Sequence, residues 1–228
     1  MHAGRHISIE TIGAEAQPVI VIDAFVPDPQ ALAQEAAALR FGPMGPYYPG
    51  LRAAVPTPRV ATFVAPVAEA IAQTFGVNAD LGLIEAMYSL VTTSPAQLRP
   101  IQRLPHFDGC EPERLALLHF LGGCEGSGTA FYRHRATGFE TVDKDRLGQY
   151  ETALRRDVAE NGMPGPAYIA GDTPVFERIA RFEGRFNRAL IYRGQSLHCA
   201  DIAPDASFSA DPRFGRLTVN TFLMGVPT

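Results

Sequence analysis

The sequence predicts an α+β protein with a double-stranded β-helix (jelly roll) and helices packed on one face. The chain has 21 glycines and 19 prolines among 228 residues without a short repeat, which indicates many turns and many short strands. Helical patterns come first, and short strand patterns separated by turns follow from residue 85. The sequence has no strict alternation of strands and helices and no glycine-rich nucleotide loop, so a doubly wound sheet is disfavoured.

The chain is expected to begin with a strand and a helix. Residues 19–25 are β-rich. Asp28 and Pro29 then provide an N-cap and a first helical residue, which predicts a helix over 31–39.

A long loop and a second helix are expected next. Residues 41–58 contain five prolines, which is typical of a structured loop or lid outside the core. A helix over 66–75 should follow, because Gly76 can end it. Residues 1–84 are thus predicted to support the core.

Residues 85–228 are expected to form the jelly-roll core of a single domain that spans 1–228. Its strands are rich in β-branched, leucine or aromatic residues. They are predicted at Ala86–Thr93, Leu115–Leu121, Thr129–Arg135, Arg188–Tyr192 and Arg216–Met224. Two helical inserts are expected to interrupt them, near 143–160 and 172–184, because each follows a helix-start signal.

Composition and charge exclude several partners. The net charge is −4, and the absence of a run of Lys and Arg argues against nucleic acid. No apolar stretch approaches the roughly 20 residues that span a bilayer, and no signal peptide is recognisable, so we expect no membrane partner. Cys110, Cys124 and Cys199 form no Cys-x-x-Cys pair, which favours a reducing cytoplasm. The sequence does not bear on the oligomeric state.

Two histidines and one aspartate could hold a metal ion. In an extended segment the side chains of His106 and Asp108 point to the same side, and Phe107 points to the other. His198 lies far along the chain. Two neutral nitrogens and one carboxylate on one face of a metal leave three positions open, which suits non-haem Fe(II). A surface turn with an incidental His and Asp is the alternative.

The last predicted strand carries a candidate anion site. By the period of two, Arg216, Thr218 and Asn220 share one face. A guanidinium on a barrel strand is costly unless an anion meets it. A carboxylate bound by both arms of the guanidinium satisfies it best, and the Thr218 hydroxyl could donate beside it. An Arg paired with a carboxylate of the protein is the alternative.

Together these motifs resemble the Fe(II)/2-oxoglutarate-dependent dioxygenase superfamily, whose pattern is His-x-Asp, a distal His, and a downstream Arg or Lys with Ser or Thr two residues on. Residues 115–132 look like the central hairpin of that superfamily. The start at residues 19–26 is similar to prolyl-hydroxylase-like members. The resemblance covers most of residues 18–225 and is closest to uncharacterised bacterial members, so it does not identify a substrate.

The resemblance implies an activity and a set of ligands. His106, Asp108 and His198 would bind Fe(II), and Arg216, helped by Thr218, would hold the distal carboxylate of 2-oxoglutarate. With O₂, such enzymes release succinate and CO₂ and oxidise a substrate. We expect hydroxylation of a small molecule, an amino acid or a peptide side chain.

Five further residues are candidates for binding roles. Tyr88 could reach the co-substrate carboxylate, although a core tyrosine is the alternative. Tyr47, Tyr48 and Arg52 lie in the Pro/Gly-rich loop, where binding residues often occur, and could form a lid over substrate. His134 could line the pocket mouth, with a solvated strand end as the alternative.

Two other classes of function stay open. A zinc-dependent hydrolase or lyase could use the same His/Asp/His set with water in the open position, but it would leave Arg216 without a role. A non-catalytic jelly-roll binding module would make all three ligands incidental.

Overall fold

The computed structural model describes residues 4–226, which contain ten strands and four α-helices. The strands are β1 (His6–Ile12), β2 (Gln17–Asp23), β3 (Gly50–Ala54), β4 (Gly82–Val91), β5 (Arg114–Gly122), β6 (Gly128–His134), β7 (Phe176–Glu183), β8 (Ala189–Arg193), β9 (His198–Asp201) and β10 (Leu217–Met224). The helices are α1 (Pro29–Ala37), α2 (Thr57–Val64), α3 (Ala68–Phe75) and α4 (Lys144–Asn161).

The strands form two sheets in which all neighbours are antiparallel. The large sheet has the order β1-β2-β8-β5-β10-β4-β3, and the small sheet has the order β7-β6-β9. Their inner faces share an apolar core, in which Leu118, Phe120 and Tyr192 of the large sheet meet Phe131 of the small sheet. Mostly antiparallel sheets with few helices agree with the predicted class, and the jelly-roll connectivity stays a prediction.

Three helices cover the outer face of the large sheet, but α4 lies on the small sheet, so the expectation that the helices pack on one face holds only in part. Leu32 of α1, Phe63 of α2 and Ile71 of α3 pack in one core with Leu117 and other residues of β5 and β10. The predicted cap of α1 is present, since the side chain of Asp28 accepts a hydrogen bond at the start of this helix. Helix α4 matches the predicted insert and packs on the small sheet. Within residues 4–226, no helix has both the length and the apolar character that a bilayer span needs.

The predicted helical insert at 172–184 is wrong, because this segment contains strand β7. Asp172 and Thr173 do bind backbone amides, but they close a turn instead of capping a helix. Asp172 Oδ1 accepts from the Arg178 amide at 2.9 Å, and Thr173 Oγ1 accepts from the Phe176 amide at 2.9 Å. The same side-chain bonds can serve a turn or a cap, so the start signal is ambiguous.

The Pro/Gly-rich segment 41–58 is also more ordered than expected. It contains β3, which is an edge strand of the large sheet, and the start of α2. Strand β1, which the sequence does not predict, forms the opposite edge by pairing with β2. The segment 1–84 therefore contributes three strands to the large sheet and is not only a support for it.

Candidate metal centre and its anion pocket

Three side chains meet where the sequence analysis expects a metal site. His106, Asp108 and His198 each offer a ligand atom, and these atoms lie within 4.8 Å of one another. His106 Nε2 is 3.7 Å from Asp108 Oδ1, and His198 Nε2 is 3.4 Å from Asp108 Oδ2. Two imidazoles and one carboxylate on one side of a common point match the facial arrangement of non-haem Fe(II) sites.

Backbone pairing explains why these distant residues converge. The His106 amide donates to the His198 carbonyl at 2.8 Å, and the His198 amide donates back to the His106 carbonyl at 2.8 Å. The Asp108 amide donates to the Gly194 carbonyl at 2.7 Å. The His-x-Asp segment is therefore held beside the entry to β9, and the period of two turns both of its polar side chains to one side.

The hydrogen bond of His198 and the lowered pKa of His106 suit metal binding. His198 Nδ1 lies 2.8 Å from the Ser196 carbonyl, which can only accept, so the proton is on Nδ1 and the lone pair of Nε2 faces the site. The His106 side chain is 55% exposed to the cavity, but many atoms of the cavity walls surround it and partly desolvate its charged form, and His198 and Arg52 lie near it. Together they lower the pKa of His106 to about 4, although Asp108 acts in the opposite direction. The neutral form, which binds metals, therefore dominates at pH 7.

The three side chains line a cavity of about 590 Å³ between the sheets, and Arg216 lies in its wall. The guanidinium donates through Nη2 to the Gly128 carbonyl at 3.0 Å and lies over the Phe120 ring at 5.5 Å. Arg216 is only 3% exposed. No carboxylate of the described residues lies within 4.0 Å of it, and its buried Nε has no hydrogen-bond partner there.

A tight turn and a strand position Arg216 and Thr218. Gly123 has φ +56°, and a side chain there would bring Cβ within 2.4 Å of the Gly215 carbonyl oxygen, just before Arg216. Thr218 and Asn220 follow on β10 and line the cavity, as the period of two predicts. The Thr218 hydroxyl donates to Asn220 Oδ1 at 2.8 Å, which fixes its orientation.

Tyr88 does not line this cavity, so the role expected for it is wrong. Its ring is fully buried on the other face of the large sheet, in the core shared with α1, α2 and α3. Its hydroxyl donates to Glu35 Oε1 at 3.1 Å. The next residue, Ser89, faces the cavity side beside Thr218, so the alternation of the strand turns Tyr88 away.

His134 lies outside the cavity as well. Its imidazole is fully buried, with Nε2 3.1 Å from Asp157 Oδ2 of α4 and Nδ1 2.9 Å from Thr137 Oγ1. It therefore lies between the small sheet and α4. It is neither a pocket residue nor the solvated strand end considered as the alternative.

Tyr47, Tyr48 and Arg52 do line the cavity. The guanidinium of Arg52 stacks over the Tyr48 ring at 4.1 Å, in the geometry of a cation–π contact. Burial raises the pKa of Tyr48, so its hydroxyl stays protonated at neutral pH. The structure thus brings the three loop residues to the side of the metal cluster.

Tyr192 and Tyr168 also line the cavity, although the sequence interpretation does not include them. Tyr192 lines the cavity from β8, and its ring centroid is 4.8 Å from that of His198. Burial, reinforced by Asp108, raises its pKa well above the usual value. Because side chains alternate along the predicted strand 188–192, the sequence could have placed Tyr192 on the same face as Leu190. Tyr168 lines the cavity from an irregular segment and donates to the Thr93 carbonyl at 2.7 Å, and no sequence signal marks it.

Three solved structures of similar fold are of proteins named as dependent on alpha-ketoglutarate (2-oxoglutarate) or solved with it bound. The non-heme alpha-ketoglutarate-dependent carbocyclase SnoK has a TM-score of 0.53 at 12% identity, and the alignment covers 92% of this chain and 83% of SnoK. The epimerase SnoN has a TM-score of 0.52 at 12% identity, and the alignment covers 91% of this chain and 77% of SnoN. HygX from Streptomyces hygroscopicus has a TM-score of 0.51 at 12% identity, and the alignment covers 94% of this chain and 84% of HygX. It was solved with nickel, 2-oxoglutarate and hygromycin B bound.

At these identities the likeness concerns the fold, so this chain shares the fold of Fe/2-oxoglutarate-dependent enzymes. None of the three is named as a prolyl hydroxylase, and that narrower resemblance stays a prediction. A family of unknown function, DUF6445, matches residues 3–223. No curated protein is similar enough to match the chain.

Proposed function

The chain belongs to DUF6445, a family of unknown function, and from its site we propose that it is an Fe(II)- and 2-oxoglutarate-dependent oxygenase. The reaction is the hydroxylation of a small molecule, an amino acid or a peptide side chain. The observation that carries the proposal is a buried guanidinium without an acid partner among the described residues, in the same cavity as a His/Asp/His cluster.

The cluster fits Fe(II) by its donor set. His106 and His198 supply imidazole nitrogens, and Asp108 supplies a carboxylate. Hydrogen bonding by Ser196 already orients the His198 ring, which is the support that metal-bound histidines usually have. Zinc would accept the same ligands, so the metal cluster alone does not select the oxygenase.

Arg216 favours 2-oxoglutarate as the second component. A buried cation that lacks an anion is costly, and a carboxylate that meets both arms of the guanidinium offsets the cost. 2-Oxoglutarate carries such a carboxylate at one end and a keto acid at the other end. We assign the free carboxylate to Arg216, with the hydroxyl of Thr218 beside it, and the keto acid to the metal.

With a metal held by His106, Asp108 and His198 and with 2-oxoglutarate bound, the site would support an oxidation in which 2-oxoglutarate and O₂ give succinate and CO₂ and one oxygen atom is added to the substrate. The chain itself positions and shields these groups. Leu118 and Tyr192 line the cavity and belong to the apolar core between the sheets, so they limit the access of water to the site. We also assign the two sheets to the jelly-roll class and the protein to the cytoplasm, where the three free cysteines stay reduced.

Anaerobic titration tests the proposal. Addition of Fe(II) and then 2-oxoglutarate to the metal-free protein should produce the weak visible charge-transfer band of a keto acid chelated to iron. His198→Ala should bind no iron, because the substitution removes one of two nitrogen ligands. His134→Gln is the matched control, since it changes a buried histidine outside the cavity, and it should keep the iron stoichiometry of the wild type.

Two results would contradict the proposal. Tight zinc binding without any spectral response to Fe(II) and 2-oxoglutarate would favour a zinc-dependent hydrolase or lyase. Failure to bind any divalent metal would favour a non-catalytic binding module.

A further inference from the structure

A second guanidinium in the cavity also lacks an acid partner. Arg52 is half-buried, and its Nε is buried without a hydrogen-bond partner among the described residues. No carboxylate of residues 4–226 lies within 4.0 Å of it. The third arginine of the lining, Arg114, is different, because it pairs with Glu111 at 3.0 Å. Arg52 is therefore a cation still free to bind an anionic ligand.

The backbone holds Arg52 firmly. Its amide donates to the Gly42 carbonyl at 2.8 Å, and its carbonyl accepts from the Gly42 amide at 3.0 Å. On the other side it lies in register with Ser89 of β4, and Ser89 lies in register with Thr218 of β10. The side chain also stacks on Tyr48. A binding group fixed in this way loses little conformational entropy when a ligand arrives.

Arg52 and Thr218 stand in one row across the sheet, two strands apart. Neighbouring strands are about 4.8 Å apart, so the backbones of these residues are separated by about 10 Å. This spacing leaves room for two separate anions, one near Arg216 and Thr218 and another near Arg52. The acid Glu85 also lines the cavity, but it lies four positions before Ser89 on β4 and makes no ion pair with Arg52.

The mouth of the cavity is apolar. Met44, Tyr47 and Ile101 line it and are 41%, 72% and 49% exposed. Exposed apolar side chains around a binding cavity are typical of sites that take up a hydrophobic ligand body.

We propose that the substrate is a monocarboxylate with an apolar alkyl or aryl body, and that Arg52 binds its carboxylate. This inference rests on the proposed function for the oxidation, but the binding site itself rests on Arg52. One guanidinium offers one positive charge and two parallel donors, which match one carboxylate. A phosphate dianion would leave one negative charge without a counterpart.

Matched ligands test the inference. The panel consists of 4-phenylbutyrate and octanoate, each compared with its primary amide and its amine. Binding is measured by calorimetry to protein saturated with Mn(II) and 2-oxoglutarate, so that Arg216 is occupied. A carboxylate should bind, and its amide and amine should bind about tenfold more weakly or worse, because only the carboxylate pairs with the guanidinium.

Variants separate Arg52 from the other cations. Arg52→Gln should weaken carboxylate binding by about tenfold or more, and Arg52→Lys should restore part of it. Arg114→Gln, which changes a cavity arginine that is already paired, should bind like the wild type. Circular dichroism checks that each variant folds. The affinity for 2-oxoglutarate should stay the same in Arg52→Gln.

Several outcomes would overturn the inference. These are a panel in which no carboxylate binds, amides that bind as well as carboxylates, and an Arg52→Gln variant with wild-type affinity for carboxylates. A loss of 2-oxoglutarate affinity in Arg52→Gln would assign Arg52 to the co-substrate instead. If the wild type binds no 2-oxoglutarate, the panel is repeated in Arg216→Met. Carboxylate selectivity that depends on Arg52 would then support this site while the proposed oxygenase fails.

Discussion

Replacement of Arg216 by methionine should make the metal-free protein more stable. The substitution keeps an apolar stem and removes a buried charge that has no acid partner among residues 4–226. Replacing buried ionic groups by apolar ones often stabilises a protein by about 1–4 kcal/mol. The hydrogen bond to the Gly128 carbonyl is lost, which costs about 1 kcal/mol. We expect a net gain of about 2 kcal/mol, or roughly 4–8 °C in Tm for a chain of this size.

The same substitution should weaken co-substrate binding. Removal of one partner of a buried charge pair costs about 2–5 kcal/mol. A loss of about 3 kcal/mol corresponds to about a 100-fold higher Kd for 2-oxoglutarate. Metal binding should stay near wild type, because Arg216 is not a member of the His/Asp/His cluster.

Arg188→Met is the matched control for this experiment. Arg188 is also buried, but its Nε and Nη2 donate to the two carboxylate oxygens of Asp23 at 2.7 and 2.8 Å. Its removal leaves Asp23 without this partner, so Tm should fall. The assay is thermal unfolding of the metal-free proteins, together with calorimetry of 2-oxoglutarate binding to the Mn(II)-loaded proteins. A fall in Tm for Arg216→Met, with unchanged 2-oxoglutarate affinity, would show that Arg216 is structural and refute the reasoning.

Two further predictions address buried groups outside the cavity. Tyr88→Phe should lower the free energy of unfolding by about 1 kcal/mol, because the bond to Glu35 is lost. It should leave the Kd of 2-oxoglutarate unchanged, and a clear rise in that Kd would contradict our placement of Tyr88. Burial lowers the pKa of His119 to about 4, so between pH 6.5 and 4 the unfolded chain binds a proton that the folded chain does not. Stability should therefore fall by about 3 kcal/mol as the pH drops through this range. In urea unfolding, His119→Gln should flatten this dependence and the exposed control His6→Gln should not, and equal slopes would contradict the assignment.

The parts of the fold that the sequence predicts depend on local chemistry. Asp28 caps α1 because its carboxylate reaches an amide three residues away. The His-x-Asp pair shares one side because that follows from the period of a strand. In each case the outcome is decided within a few residues of the chain, so the sequence pattern contains enough information.

The parts that the sequence does not predict depend on distant partners. Residues 86–91 are largely apolar on both faces, so alternation alone cannot tell which face carries Tyr88. Pairing with β3 and β10 decides it. His134 alternates with two arginines, a pattern that fits a pocket mouth or a solvated strand end, but Asp157 of α4 covers it. The loop composition does predict Arg52 as a binding candidate, but its position on an edge strand beside the cavity depends likewise on pairing with Gly42 and β4.

The formal charges of the groups in the cavity can be summed for each candidate function. Asp108 and 2-oxoglutarate bring three negative charges, and Fe(II) with Arg216 brings three positive ones, so these four groups balance. Arg52 then remains with one positive charge, which a monocarboxylate substrate would neutralise. Glu85 also lines the cavity but makes no ion pair with either guanidinium, so it is left out of this count. Zinc alone would face only Asp108 and leave both guanidiniums uncompensated. Because uncompensated charge in a poorly solvated cavity is costly, the arrangement of arginines favours a metal site that also takes up two organic anions over a site that holds zinc alone.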